Sequence, residues 1–383
     1  MYLLNASNIY QGGSATALAD FARHATASRT EDWCFAVSGT LRSNFSSDPL
    51  LNSIATDRLL VLERSPARSR RSRRELKAFA DIINPEAVFT FMGPAYVKFR
   101  HPHLCGVVDG WLTHADGSTF RRLGFRRSLP LLAASLYRSF WFRRCDSWAT
   151  ETEIAAAGLA NRLGLPAENI SIVGNTCSES LILANMSPPK FNKNKPIKVL
   201  LLAAAFPHKR IELIPRVAAA LQKRAPGYRF LFQVTLPSDS TVLQKTLTLA
   251  KRLQVLDAIQ NLGPLGPSEL ISAYEQTHLC FAPSIHETFS ATGPEAMACS
   301  RPMAASDFAF HRDVLKDAAL YFPPDDAEKA AECLARLAAS PELRQELIKN
   351  GHQQLGKLPD SARRYQLYLN ALQRTRDRHQ AIP

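Results

Sequence analysis

The chain has 383 residues, 46% of them hydrophobic and 21% charged, a composition that excludes extended disorder and suits two domains of ordinary size. Its longest apolar runs are about half the roughly 20 residues that a membrane-spanning helix needs, and the first residues do not resemble a secretory signal. The formal net charge of +13 indicates an anionic partner, which could be a phosphate group, an anionic lipid or nucleic acid.

The first half alternates strand-like and helix-like runs, starting with "MYLLNAS" and "SATALADFARHATA". Gly12 and Gly13 stand between these two runs, where the backbone could closely approach a phosphate group. The alternative is that the two glycines form an ordinary turn. Further along, "AVFTFMG" and "HLCGVVD" have the composition of buried strands.

Two basic blocks follow in this half, at 63–81 with seven cations and at 120–146 with seven arginines. The second block has an apolar stripe at helical spacing, formed by Leu129, Leu132, Leu136 and Phe140. This pattern is typical of a helix that lies on an anionic membrane surface or of a helix that faces a core. Together the blocks favour peripheral attachment to a membrane.

The second half alternates more regularly, with strand-like runs such as "IKVLLLAAAF" and "YRFLFQVTL" between helix-like runs. This alternation predicts an α/β protein with doubly wound parallel sheets. A polar, proline-rich and lysine-rich stretch at 185–198 is interpreted as a linker. The predicted organisation is a domain at 1–184, the linker, a domain at 199–357 and a terminal helix at 358–383 that packs back on the first domain. The active site is expected where strand ends of the two domains face each other across a cleft.

Two segments of the second half carry charged residues at strand-to-helix turns. Lys209 and Arg210 begin a helix after the strand-like run, although cations there oppose the helix dipole. In 284–306, Glu287 and Glu295 lie on either side of a turn before a helix in which Thr292 is the predicted cap. That helix start is a potential phosphate site, and the two carboxylates could accept hydrogen bonds from hydroxyl groups. Alternatively, Glu295 complements the helix dipole and Glu287 is solvated.

Taken together, these pieces resemble the retaining GT-B glycosyltransferases of family 4, of the kind that builds bacterial lipopolysaccharide and other surface polysaccharides. The family has two glutamates separated by seven residues, and then Ala-Met-Ala-Cys-Gly-x-Pro-Val. This chain has Glu287, Glu295 and "AMACSRPMAAS", followed by "DAALYFPPDDAEKAAECLARL". The resemblance covers about 199–355 well and 1–175 diffusely. It implies a GT-B fold of two Rossmann-like domains.

The resemblance also implies roles for individual residues. Glu295 would hold the ribose hydroxyls of a sugar nucleotide, and Glu287 would contact the donor sugar. Lys209 would bind the phosphates, and Gly12 and Gly13 would lie across the cleft from them. The backbone amides of four further residues would join Lys209 at the phosphates: Phe289, Ser290, Ala291 and Thr292.

The chain departs from the family pattern at four places. Alanines 203–205 replace the usual Gly-Arg, so the second cation is missing unless Arg210 replaces it. Ser290 and Ser300 stand where glycine is common. In the first half, Asp109 occupies the place of a family histidine, with His114 nearby. We expect Asp109, with Glu287 and Lys209, to be catalytic, while a turn-forming Asp-Gly pair is the alternative.

The expected function is transfer of a sugar, as by a hexosyltransferase, from a nucleoside diphosphate to a glycan or lipid-linked acceptor with retained configuration. No cofactor or metal is expected, because Lys209 and the helix start would stabilise the leaving diphosphate. The seven cysteines, with no Cys-x-x-Cys pair, predict reduced structural thiols without a metal cluster. We expect a cytoplasmic enzyme on the inner face of the cytoplasmic membrane. The alternatives are an epimerase of the same fold and a nucleic-acid binder, and the lack of aromatics among the arginine-rich runs argues against the binder.

Overall fold

The computed structural model describes residues 1–10, 13–45, 48–192 and 194–381. The chain divides into two compact units, and each has its own parallel sheet flanked by helices. The first unit consists of Met1–Asn175 with Pro359–Pro383, and the second of Thr176–Leu358. The predicted α/β class, with two doubly wound parallel sheets, is therefore confirmed.

The sheet of the first unit has seven parallel strands in the order β3-β2-β1-β4-β5-β6-β7. The order reverses between β1 and β4, the arrangement of a doubly wound sheet. Its central strands are buried along their whole length, as expected for a parallel sheet covered on both faces. The strands are β1 Tyr2–Ala6, β2 Trp33–Ser38, β3 Leu59–Leu62, β4 Ala87–Thr90, β5 His103–Val107, β6 Ser147–Thr150 and β7 Ile170–Ile172.

Among the described residues of this unit, eight α-helices lie between these strands. Several have side-chain caps, such as Thr152, whose hydroxyl accepts a hydrogen bond from the Ala155 N–H at 3.1 Å. The helices are α1 Gly13–Ala27, α2 Gly39–Phe45, α3 Pro49–Asn52, α4 Arg70–Ile83, α5 Gly110–Thr113, α6 Gly117–Leu123, α7 Phe125–Phe142 and α8 Glu153–Leu163.

The second unit has six parallel strands in the order β10-β9-β8-β11-β12-β13. They are β8 Ile197–Leu201, β9 Phe230–Val234, β10 Ile259–Asn261, β11 Leu279–Ala282, β12 Met303–Ser306 and β13 Ala319–Phe322. The helices are α9 Glu179–Leu183, α10 Ile214–Arg224, α11 Thr241–Arg252, α12 Pro267–Gln276, α13 Thr292–Ala298, α14 Ala309–Leu315, α15 Ala327–Ala339 and α16 Pro341–Leu355.

The terminal helix, α17 at Ser361–Gln380, belongs to the first unit. Its aromatic side chains enter the core of that unit, where the ring of Tyr365 lies 5.1 Å from Phe21 and that of Tyr368 lies 4.8 Å from Phe89. Such aromatic pairs contribute about 0.5–1.5 kcal/mol each beyond their buried area.

The boundary between the units differs from the predicted one. It falls between 175 and 176, not after 184, because Leu181 on α9 is fully buried in the second unit, in one cluster with Met186. Much of the predicted linker also belongs to the second unit, since the Arg344 guanidinium lies 3.8 Å from the ring centre of Phe191. The polar composition of 185–198 did not indicate that Met186 and Phe191 pack in the second unit.

Helix α7 packs on the first unit through its small polar side chains. Ser128, Ser135, Ser139 and Phe142 are buried, whereas the apolar stripe is exposed: Leu129 by 58%, Leu132 by 43%, Leu136 by 73% and Phe140 by 47%. The serine hydroxyls are satisfied by helix carbonyls, as in the 2.7 Å bond from Ser139 to Ser135. The core-facing alternative for the stripe is therefore wrong. Within the described residues, no helix is both long and apolar enough to cross a bilayer.

Candidate active site

The candidate site of the second unit lies on the loops that follow β8 and β11. These two strands are hydrogen-bonded neighbours in a parallel sheet, so their carboxyl ends bring the loops together. The Ile285 N–H of one loop donates to the His208 carbonyl oxygen of the other at 2.9 Å. The sheet therefore places the segments that contain Lys209 and Glu287 side by side.

Lys209 and Glu287 form an ion pair with 2.5 Å between Nζ and Oε1. Both side chains are largely withdrawn from solvent, with 19% and 13% of their surfaces exposed. Burial alone would raise the pKa of Glu287, but the positive charge of Lys209 and the neighbouring His208 lower it below its ordinary value. The pair is thus an ionised, partly dehydrated dipole at the ends of the two strands.

Histidines surround this ion pair, and the sequence did not single them out. The rings of His208 and His286 lie 6.1 Å apart. Burial lowers the pKa of His208 to about 4, and that of the fully buried His311 likewise to about 4. His311 Nδ1 lies 2.9 Å from the Ser306 carbonyl oxygen, so the neutral ring donates from Nδ1 and leaves Nε2 as an acceptor.

Glu295 follows the same loop and lies in the first turn of α13. The Tyr274 hydroxyl donates to its Oε2 at 2.9 Å. Burial raises the pKa of Glu295 to about 7, although this hydrogen bond opposes the rise. The carboxyl group is held in one orientation and has a second oxygen that can accept a further hydrogen bond.

The chain between the two glutamates presents backbone donors. Within the described residues, no group accepts a hydrogen bond from the N–H groups of Phe289, Ser290, Ala291 or Thr292. Helix α13 begins at Thr292 with Ala291 as its cap residue, and no side-chain cap forms. The predicted cap role of Thr292 is therefore wrong: its hydroxyl lies 3.0 Å from that of Ser290 instead.

The start of α13 is held in place by close packing. A Cβ atom on Gly293 would lie 2.7 Å from Leu315 Cδ2, so a larger residue here would force the Leu315 side chain of α14 to shift. At the other end, Ser300 has a φ of 55°, in the left-handed region where the resemblance leads one to expect glycine. Its hydroxyl lies 3.0 Å from His352 Nε2, which ties this strained residue to α16.

Arg210 points away from the ion pair. It occupies the left-handed region between two 3₁₀ turns, Pro207–Lys209 and Ile211–Leu213. Its guanidinium binds Asp325 at 2.6 Å and Glu212 at 3.1 Å. These carboxylates neutralise the charge that was expected to replace the missing second cation, and the nucleotide-binding role of Arg210 stays a prediction.

The other predicted site residues belong to the first unit. Asp109 is the N-cap of α5, and it forms an ion pair with Arg138 of α7. Burial raises the pKa of Asp109, although Arg138 opposes that rise. His114 lies 2.9 Å from the hydroxyl of Thr113. Gly13 is the exposed first residue of α1, whereas Gly12 lies outside the described residues.

Comparison with known proteins shows that the second unit is similar to glycosyltransferases. Residues 185–354 match the family model described as "Glycosyl transferases group 1". A D-inositol 3-phosphate glycosyltransferase of Saccharomonospora viridis is 31% identical over 154 residues, which cover 38% of this chain and 36% of that protein. The O-antigen chain mannosyltransferase RfbU of Salmonella typhimurium is 26% identical over 200 residues, 52% of this chain and 53% of the relative. The matches thus span between about a third and a half of these curated relatives.

Solved structures extend the likeness to both units. A glycosyltransferase of Rickettsia africae superposes with a TM-score of 0.72 at 12% identity, covering 98% of each chain. Anabaena HepE in complex with UDP-glucose gives 0.73 at 12% identity, covering 97% of this chain and 99% of that one. The lipopolysaccharide outer core galactosyltransferase WaaB gives 0.66 at 15% identity, with 97% and 98% covered. The predicted GT-B fold is confirmed.

Proposed function

From the match of residues 185–354 to the group 1 glycosyl transferases, we propose that the chain transfers a sugar from a nucleoside diphosphate. The acceptor would be a hydroxyl group of a glycan or lipid-linked saccharide. The observation that carries the proposal is the Lys209–Glu287 ion pair beside four backbone N–H groups that have no acceptor in the described part of the chain. A cation and aligned amides bind a diphosphate, and a carboxylate binds sugar hydroxyls.

In this proposal, phosphate oxygens of the nucleoside diphosphate replace the Glu287 carboxylate as the partner of Lys209. Lys209 Nζ and the amides of 289–292 would bind the phosphate oxygens, and Glu287 would accept hydrogen bonds from the donor sugar. Glu295, already oriented by Tyr274, would accept from the ribose hydroxyls. The nearby histidines are neutral, because burial lowers the pKa of His208 and of His311 to about 4, so they add hydrogen-bonding groups without further charge.

The proposed reaction retains the anomeric configuration and passes through a transition state with oxocarbenium character. As the bond to the leaving oxygen breaks, negative charge accumulates on the diphosphate. Lys209 and the fixed amides would stabilise that charge, and the proposal needs no resident metal ion. Donors that are already oriented in a dehydrated site stabilise such a charge strongly. The resemblance to family 4, together with the two acidic side chains of the loop, supports retention.

The nucleotide site can be tested by a thermal-shift screen of nucleoside diphosphates and their sugars. A ligand that binds only the folded protein at 100 times its dissociation constant adds about 2.7 kcal/mol to the free energy of unfolding. We expect at least one nucleoside diphosphate to raise the melting temperature, and its sugar conjugate to do the same. Stabilisation by DNA alone would contradict the proposal, and sugar conversion without any transfer would favour an epimerase.

We further propose that the first unit attaches to an anionic membrane surface, where a lipid-linked acceptor would be found. The supporting feature is that both basic blocks lie on one surface: Arg73 donates to the Tyr137 hydroxyl at 2.7 Å, and its guanidinium lies 5.3 Å from the Trp141 ring. The exposed apolar stripe of α7 adjoins this contact. Arginines beside exposed leucines suit the interface of an anionic bilayer.

This location suits a role in lipopolysaccharide or surface-polysaccharide synthesis on the inner face of the cytoplasmic membrane. That pathway is supported by the names of two similar proteins, the O-antigen mannosyltransferase RfbU and the outer core galactosyltransferase WaaB. A glycan acceptor held near the bilayer would meet the enzyme at the surface that bears α7.

Membrane attachment predicts that Leu136→Asp weakens sedimentation with anionic vesicles at low salt by at least about tenfold, because burying a leucine contributes about 1.5–3 kcal/mol. Leu183→Asp is the matched control, since Leu183 is 74% exposed but lies on α9 of the second unit, outside the stripe and both basic blocks. The measurement is the bound fraction against lipid concentration. If the wild-type chain does not sediment, or if Leu183→Asp weakens binding as much, the stripe is not the attachment surface.

A further inference from the structure

Three side chains with metal-binding atoms converge in the first unit. A ring nitrogen of His103 and the sulfurs of Cys105 and Cys145 all lie within 4.8 Å of one another. All three residues are buried, with 2%, 0% and 7% of their surfaces exposed. The sequence indicates no metal cluster, because Cys145 is far from the other two along the chain.

The backbone builds this convergence from two elements. His103 and Cys105 are alternate residues of β5, so their side chains leave the same face of the sheet. Cys145 lies in the turn between α7 and β6. Asp146 fixes that turn to β5 twice: its Oδ2 accepts from the His103 N–H at 2.8 Å, and its own N–H donates to the His103 carbonyl oxygen at 3.0 Å.

The imidazole of His103 is held by a hydrogen bond at one of its two nitrogens. Its Nε2 lies 2.8 Å from the hydroxyl oxygen of Thr90, which also accepts a hydrogen bond from Asn5 Nδ2 at 3.2 Å. Its Nδ1 is buried and has no hydrogen-bond partner within the described residues. The Thr90 hydroxyl can donate to or accept from Nε2, so this contact permits the tautomer that leaves a lone pair on Nδ1. Buried polar atoms without partners are rare, so Nδ1 itself points to a ligand.

Two thiols and one imidazole are the donor set of a soft divalent cation, above all Zn²⁺. Zinc–sulfur bonds of about 2.3 Å at the tetrahedral angle separate two ligand atoms by about 3.8 Å. The atoms of the cluster therefore need to approach by no more than roughly 1 Å. Burial raises the pKa of the Cys145 thiol well above its ordinary value, so an incoming ion must displace its proton.

We propose that His103, Cys105 and Cys145 bind one Zn²⁺ ion, which fastens the turn after α7 to strand β5. The role is structural. It does not depend on the proposed sugar transfer, which rests on Lys209, Glu287 and Glu295 of the second unit. The competing interpretation is that the two cysteines only fill apolar space, as buried free cysteines commonly do.

Cys34 offers a matched control for this distinction. It is also a buried free cysteine of the same sheet, on β2, but its sulfur lies 3.7 Å from the Met1 sulfur instead of a histidine. Replacing Cys34 with serine removes one thiol from the core without touching the cluster. Cys145→Ser removes one proposed ligand with a similar change of shape.

The test is zinc content and thermal stability of the full chain, stripped with a chelator and then dialysed against Zn²⁺. We expect about one ion per chain and a higher melting temperature for the wild type and for Cys34→Ser, and neither effect for Cys145→Ser. Cobalt(II) titration should give a thiolate charge-transfer band that Cys145→Ser and Cys145→Ala lack. Metal-free melting curves establish that each variant folds. Zinc binding that survives Cys145→Ser, or no retained zinc in the wild type, would overturn the proposal.

Discussion

Replacing Lys209 with alanine is expected to lower sugar transfer by about 10²- to 10³-fold, the loss typical of removing one preorganised donor to a developing negative charge. Lys209 is the one proposed cation of the site, because the neighbouring Arg210 is neutralised by Asp325 and Glu212. The substitution also leaves the Glu287 carboxylate without its partner of 2.5 Å, so the pKa of Glu287 should rise. The measurement is turnover with saturating donor and acceptor.

Lys223→Ala is the matched control for that experiment, because Lys223 is an exposed lysine in the last turn of α10. It should leave turnover unchanged. Far-UV circular dichroism and the melting temperature of Lys209→Ala show whether the second unit keeps its fold. If a folded Lys209→Ala protein transfers sugar at the wild-type rate, Lys209 does not stabilise the leaving group.

Replacing Glu287 with glutamine should also lower turnover by about 10²-fold or more, but for a different reason. The amide keeps the shape of the side chain and loses the charge that accepts hydrogen bonds from sugar hydroxyls. Lys209 loses its counter-ion at the same time, so its charge becomes more available to phosphate. We therefore expect nucleoside diphosphate affinity to stay the same or increase while transfer falls.

Calorimetric titration of the nucleoside diphosphate and a transfer assay separate the two effects of Glu287→Gln. Glu346→Gln, at an exposed glutamate on α16, is the control and should change neither. Because Lys209 and Glu287 touch, the double variant should lose less activity than the two single losses combined. A Glu287→Gln protein that loses affinity for the nucleoside diphosphate in proportion to its turnover would contradict the assigned division of roles.

The strands and helices of the second unit were predictable because parallel strands buried on both faces form continuous apolar runs. "IKVLLLAAAF" and "HLCFAPS" became β8 and β11 for this reason. The boundary between the units was less predictable. It depends on where Leu181 and Met186 pack. The sequence of a mostly polar stretch does not show which core its few apolar residues join.

The candidate site was predictable where the resemblance supplied a motif, as for Lys209, Glu287 and Glu295. Three of its properties arise only from tertiary contacts. Asp325 neutralises Arg210 from a distant segment. His311 is buried although Arg312 and Asp313 follow it directly in the sequence. The third property is the orientation of α7. Its sequence has one stripe of leucines and one stripe of serines, and either stripe could face the core.

The most direct test of the central claim is the position of a bound nucleoside diphosphate in a crystal structure of the complex. The account predicts its phosphate oxygens within hydrogen-bonding distance of Lys209 Nζ and of the N–H groups of 289–292, with the ribose hydroxyls at Glu295. A nucleotide bound elsewhere, with the Lys209–Glu287 ion pair intact and the amides of 289–292 unoccupied, would contradict it.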